Sequence, residues 1–237
     1  IAPLLAVDSL IAPHDAQLER FISFWDKFDI SPFAMQSLFY EKKETNFFDS
    51  NDNIESTLSY FEKVTDMARS MSIKSLCLGC PKQRSHNPAT VSQEVVRSFF
   101  IDLANICGGK GLVLCLEPNA AAYGCNFLTN TSDAASFIRD ININSLKLNF
   151  DTSTILLNGG DPATVFHENS DIVGHVHISR PYLKPVTREI FDHGSLSSAI
   201  SDSEYDEGIT IEMLYSGDSL ESDRAEAIFV LNNFYSS

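Results

Sequence analysis

Four residues able to act as acids, bases or metal ligands stand at the ends of four apolar runs. Glu117 closes GLVLCLEP, Asp151 closes SLKLNFDTS, His177 lies in GHVHIS and Glu212 lies in GITIEM. Three carboxylates gathered in one place raise each other's pKa, so bringing them together calls for a counter-charge. A divalent cation supplies it. Three oxygen donors and one imidazole make a rather hard set, which favours Mn or Mg and also accommodates Co or Zn. One strand-end carboxylate is usually a solvated loop charge or a helix cap. Three such carboxylates and a histidine on successive runs are poorly explained that way.

Alternation along each run sorts the side chains into two faces. If Glu117 points inward, Val113 and Cys115 share its side, and Leu112, Leu114 and Leu116 take the other. Asp151 goes in with Asn149 and Lys147, while Leu146, Leu148 and Phe150 go out. His177 shares its face with His175 and Val173, against Ile172, Val176 and Ile178, with Gly174 as the exception. Glu212 sides with Thr210 and opposes Ile209 and Ile211. His175, one layer deeper than His177, reads as a hydrogen-bonded core group rather than a ligand.

The elements that must position these residues are strands alternating with helices, the pattern of a parallel sheet with crossover helices. Strands are predicted at Ile30–Phe39, Ile73–Cys80, Gly111–Glu117, Ser145–Asp151, Ile172–Ile178 and Gly208–Met213, and Ile1–Pro3 reads as the tail of another. Helical spacing marks Leu18 to Phe28, Ile54 to Met71 and Val95 to Ile106, the last stopped by Gly108-Gly109. A final helix is predicted from Leu220 to Phe234, behind Ser219. The fold class is α/β, a (β/α)8 TIM barrel forming one domain over residues 1–237, with its first strand and helix expected upstream of Ile1. An open doubly wound sheet is the competitor, but the first strand–helix junction has no glycine-rich dinucleotide fingerprint.

Composition removes other classes. The 237 residues are 43% hydrophobic, enough for a core without staples. A formal charge of −15 repels a phosphate backbone, so nucleic acid is a poor partner. The five cysteines form an odd set without scaffold density, and Cys77 and Cys80 make a lone CxxC, so all read as reduced buried thiols in a cytoplasmic protein. No apolar run reaches a membrane span, and no basic-then-apolar leader opens the sequence.

The runs LCLEPN, NFDTS, HVHISRPYL and ITIEM, with FAMQSLFY at Phe33–Tyr40 and LGCPKQR at Leu78–Arg84, resemble the sugar phosphate isomerase/epimerase family of xylose-isomerase-like TIM barrels. This resemblance spans nearly the whole chain and includes ketose 3-epimerases and inosose enzymes. It implies Glu117, Asp151, His177 and Glu212 as ligands, with Glu117 and Glu212 doubling as an acid/base pair that moves the proton alpha to a carbonyl. It implies a monosaccharide or sugar phosphate as partner and leaves room for a homo-oligomer. Arg84 then holds a hydroxyl or phosphate, and His86, Asn119 and His175 join the substrate-binding candidates. Thr154, which stands where many relatives carry a His, and Arg180, which stands where many carry an acid, join them. A dehydratase or C-glycoside-cleaving lyase on the same scaffold and a non-catalytic barrel subunit are the alternatives. An AP-endonuclease-like activity, which needs a richer His cluster than six histidines offer, is disfavoured.

Overall fold

The computed structural model describes residues 1–10, 15–214 and 220–235. Six parallel strands form one sheet in sequence order: β1 (Ala34–Met35), β2 (Ser75–Leu78), β3 (Val113–Leu116), β4 (Leu146–Asp151), β5 (Val173–Ser179) and β6 (Ile209–Glu212). Each pairs in parallel with its predecessor, so every connection is a crossover from one end of the sheet to the other. The helices are α1 (Pro3–Ala6), α2 (Asp15–Asp26), α3 (Asn51–Ser70), α4 (Gln93–Gly108), α5 (Thr131–Ile141), α6 (Thr152–Leu157), α7 (Pro162–Asn169), α8 (His193–Ser201) and α9 (Leu220–Val230). Ser219, placed ahead of the last helix by the sequence, lies outside the described residues.

Short polar side chains start most of these helices. Ser50, Ser92, Asn130, Asp151, Asp161 and Asp192 each accept from a backbone N–H three residues on. A cap of this kind contributes about 1 kcal/mol. Asp151 therefore ends a strand and begins a helix at the same residue.

The sheet curls until β2 and β5 meet across its interior, where Cys77 approaches His175 and His177. The edges come together through side chains: Gln36, after β1, hydrogen-bonds Glu212 of β6, and the Phe33 ring lies directly on Gly208. Their backbones do not pair with each other, so the barrel is curled but not fully closed. Ile1 takes a ladder place on the free side of β1: its N donates to Ala34 O and its O accepts from Gln36 N, both at 2.7 Å. The expected strand tail is thus one residue deep, because Pro3–Ala6 turns into helix. The predicted strand Ile30–Phe39 also shrinks to two residues. Pro32, which has no N–H to offer a ladder, precedes it.

Phe150 packs outward on Phe166 of α7, with ring centroids 5.2 Å apart. Leu112, Leu114, Leu116, Leu146 and Leu148 belong to the same buried core. One expectation of parity is corrected. The register pairs Leu148 with Val173 but Asn149 with His175, so Gly174 is an extra residue in β5. Paired residues of parallel strands share a face, which puts Val173 with outward Leu148 rather than with His175. Gly174 faces the interior, where an added Cβ would lie 2.6 Å from Lys147 Cβ and 3.0 Å from Cys115 Sγ.

Candidate metal centre

Glu117 follows β3, Asp151 ends β4, His177 lies near the end of β5 and Glu212 ends β6, so all four occupy the C-terminal mouth of the barrel. His177 Nδ1 is 3.4 Å from Glu212 Oε2 and 3.7 Å from Glu117 Oε2. Ligand atoms of Asp151, His177 and Glu212 fall within 4.8 Å of one another. Asp151 and His177 are buried, and Glu117 and Glu212 are half-buried.

Neutral donors hold these groups in place. Asn119 Nδ2 donates to Glu117 Oε1 at 2.7 Å, and Asn149 Nδ2 to Glu117 Oε2 at 3.0 Å. Asn149 Nδ2 also lies 3.1 Å from His177 Nδ1. Asp151 accepts from Thr154 N at 2.7 Å and from Ser179 Oγ at 2.5 Å.

The electrostatics show what the site needs. Burial, then the charges of Glu212 and Asp151, push the Glu117 carboxyl up to about 8. Burial and Glu212 raise Asp151 against its Ser179 and Thr154 hydrogen bonds. Burial lowers His177, but hydrogen bonds with Cys77 and Glu212 and their charges carry it well above the usual imidazole value. Burial would also raise Glu212, yet its hydrogen bond and attraction to His177 leave it below an ordinary carboxyl. Carboxyls raised by burial and by one another, beside an imidazole raised by the groups around it, mark a cluster short of positive charge, which a cation would supply. The cluster of Asp151, His177 and Glu212 therefore fits a divalent ion, and Glu117 lies beside it, with Oε2 3.7 Å from His177 Nδ1.

The remaining sequence candidates are placed variously. Asn119 is buried against Glu117 as described. Arg84, expected to reach a hydroxyl or phosphate, is fully buried and donates to Glu117 O at 2.6 Å and Leu128 O at 3.4 Å. It anchors the backbone beneath Glu117. Thr154 is buried too, with its hydroxyl donating to Pro118 O at 2.9 Å, so it ties α6 to the β3 loop. His86 stands apart, between the Phe48 and Phe127 rings, in a surface cavity of about 530 Å³ that none of the four mouth residues lines. Arg180 is half-buried at the start of the loop after β5. His175 is buried below His177, with Nε2 3.1 Å from Thr210 Oγ1 and its pKa lowered by burial to about 3.

Alternation placed Asn149 inward without giving it a role, and two further partners of the mouth, Ser179 and Gln36, were not marked by the sequence. Ser179 sits two residues from His177 on the same strand face, so alternation could have marked it. Gln36 carries no such signal, because it meets Glu212 only when the sheet curls.

Comparison with known proteins bears on the fold. The sequence matches the family model described as xylose isomerase-like TIM barrel over residues 9–233. Curated protein sequences gave no match. Among solved structures, 3-keto-D-glucoside 4-epimerase from E. coli in its apo form is 14% identical with a TM-score of 0.73, over 96% of this chain and 86% of that one. D-allulose 3-epimerase from Methylomonas sp. in complex with D-allulose is 17% identical with a TM-score of 0.71, over 92% and 81%. The IOLI protein with a zinc atom is 13% identical with a TM-score of 0.67, over 93% and 87%. At such identities the likeness establishes a shared architecture. No helix among the described residues is long and apolar enough to cross a membrane.

Proposed function

The chain belongs to the xylose-isomerase-like TIM barrel family, and from that premise we propose that it is a metal-dependent isomerase or epimerase of a monosaccharide or sugar phosphate. The observation that carries this reading is the approach of two glutamates from different strands to one ring nitrogen, at 3.7 Å for Glu117 and 3.4 Å for Glu212. Solved proteins of like fold are described as a 4-epimerase and 3-epimerases of sugars, and one holds zinc.

Glu117, Asp151, His177 and Glu212 would hold the ion, with Mn or Mg suited to three oxygens and one nitrogen. When bound, such an ion supplies the positive charge that offsets the enediolate formed by loss of a proton alpha to a carbonyl. Glu117 and Glu212 then divide the proton transfers: one carboxylate removes the alpha proton and the other carboxyl delivers one to the opposite face. Asn119 and Asn149 orient Glu117 through its two oxygens, leaving their own Oδ1 atoms buried and without partners. Buried acceptors of that kind call for a ligand rich in hydroxyl donors.

The test separates the four ligands by role. Glu117→Gln and Glu212→Gln keep shape and an oxygen donor but cannot accept the proton, so each should lose turnover with metal still bound. Turnover of keto-sugars, metal content and solvent deuterium exchange are measured on each variant. Normal turnover by either metal-loaded variant rules out the two-glutamate reading. Alpha-proton exchange that persists in one of them, with loss of a beta group, assigns the lyase instead.

A further inference from the structure

Below the carboxylate mouth lies a second set of donors of different chemistry. Cys77 of β2 and His175 and His177 of β5 are all buried, and each offers a ligand atom within 4.8 Å of the others. The set contains one sulfur, two imidazoles and no carboxylate. We propose that Cys77, His175 and His177 form a second metal site, one layer inside the mouth, that takes a thiophilic divalent ion of the zinc class.

Two observations beyond the cluster itself point to a ligand. His175 Nδ1 is buried with no hydrogen-bond partner, while its Nε2 is matched with Thr210 Oγ1 at 3.1 Å. A fully buried ring nitrogen without a partner is costly unless something occupies it. A cavity of about 300 Å³ also reaches Cys77, His175, His177 and Thr210, leaving room beside the donors for a further ligand such as water. A three-donor set with an open fourth position is a common zinc arrangement.

Softness separates the two sites. Oxygen donors select hard ions and a thiolate with imidazoles selects zinc-like ones, so one barrel presents both preferences with His177 between them. His177 Nδ1 already faces Glu117 and Glu212. In the proposed site the ring's other nitrogen serves the Cys77 side. The thiol gives up its proton to solvent as the ion binds. The competing account is that Cys77 merely hydrogen-bonds His177 and fills the interior.

The experiment is zinc-edge X-ray absorption on the metal-free chain loaded with one equivalent of zinc, beside zinc titrations of variants. The proposal expects a sulfur scatterer at about 2.3 Å together with nitrogens at about 2.0–2.1 Å. Cys77→Ser should remove the sulfur shell, and both it and His175→Gln should weaken zinc binding at least as much as the roughly 10–100-fold lost with an outer-shell partner. Asp151→Asn, which touches only the mouth, should keep the sulfur shell. A wild-type spectrum with nitrogen and oxygen alone overturns the proposal. So does a sulfur shell that survives Cys77→Ser or vanishes in Asp151→Asn. If Cys77→Ser fails to fold, the wild-type spectrum and His175→Gln decide the matter. A chain that showed the sulfur shell but turned over no sugar would defeat the isomerase reading and leave this site standing.

Discussion

Ser179 donates its hydroxyl to Asp151 Oδ2 at 2.5 Å, while Asp151 Oδ1 accepts from Thr154 N. Both oxygens are thereby fixed in direction, and the carboxylate is presented to the mouth in one rotamer. Outer-shell partners of this sort tune metal affinity. Ser179→Ala should weaken Mn binding roughly 10–100-fold, read by titration calorimetry, and should also lower the thermal midpoint of the metal-free protein, because the buried Ser153 N–H that donates to Ser179 Oγ at 3.0 Å loses its acceptor. Unaltered affinity would mean that Asp151 is held by the α6 cap alone.

The double duty of Asp151 separates two substitutions. Asp151→Asn keeps a side-chain oxygen for the Thr154 N–H, whereas Asp151→Ala removes the cap and should cost about 1 kcal/mol more in the metal-free protein. Both should bind metal weakly, and excess Mn should rescue the Asn variant in part. Denaturant unfolding without metal checks the first statement, and Mn titration the second.

Gly174 leaves no room for a side chain. Gly174→Ala would place a Cβ 2.6 Å from Lys147 Cβ, an atom close to the backbone that cannot swing away. The overpacking should cost about 1–3 kcal/mol, read from the denaturant midpoint. Wild-type stability in this variant would show that β5 can shift its register without penalty.

His193 gives a pH dependence remote from the mouth. It is buried, with Nε2 3.0 Å from Thr187 O and Nδ1 2.8 Å from Tyr235 Oη, an arrangement that suits the neutral ring. Burial lowers its pKa from the ordinary value of 6.5. The unfolded chain therefore takes up a proton near that value while the folded chain does not, so stability falls as pH drops below it. His193→Gln should flatten this part of the stability–pH curve. Thermal melts between neutral and mildly acid pH on both proteins check it.

Much of the mouth was legible because strand alternation is a local property. Glu117, Asp151, His177 and Glu212 each end an apolar run, and their opposite faces carry the leucines and Phe150 that meet the helices. Three things were not legible, for different reasons. The extra residue at Gly174 looks like a gap in an apolar pattern until the partner strand is known, so Val173 was put on the wrong face. Arg84 and Thr154 were read as substrate-binding positions, but the chain turns their donors onto the Glu117, Leu128 and Pro118 carbonyls. Cys77 read as an ordinary buried thiol because its neighbours His175 and His177 lie across the barrel, nearly a hundred residues away in sequence.

The bulge at Gly174 divides β5 into two stretches of opposite phase. Val173 ahead of it keeps step with outward Leu148, and His175 and His177 after it keep step with inward Asn149 and Asp151. Anyone building a chimera by grafting the mouth of one such barrel onto the floor of another faces a constraint here. A splice made at Gly174 must carry the extra residue exactly once, since losing or doubling it would turn His175 and His177 toward the helices while every other strand stayed in frame. The interchangeable part of this barrel is bounded by a single glycine.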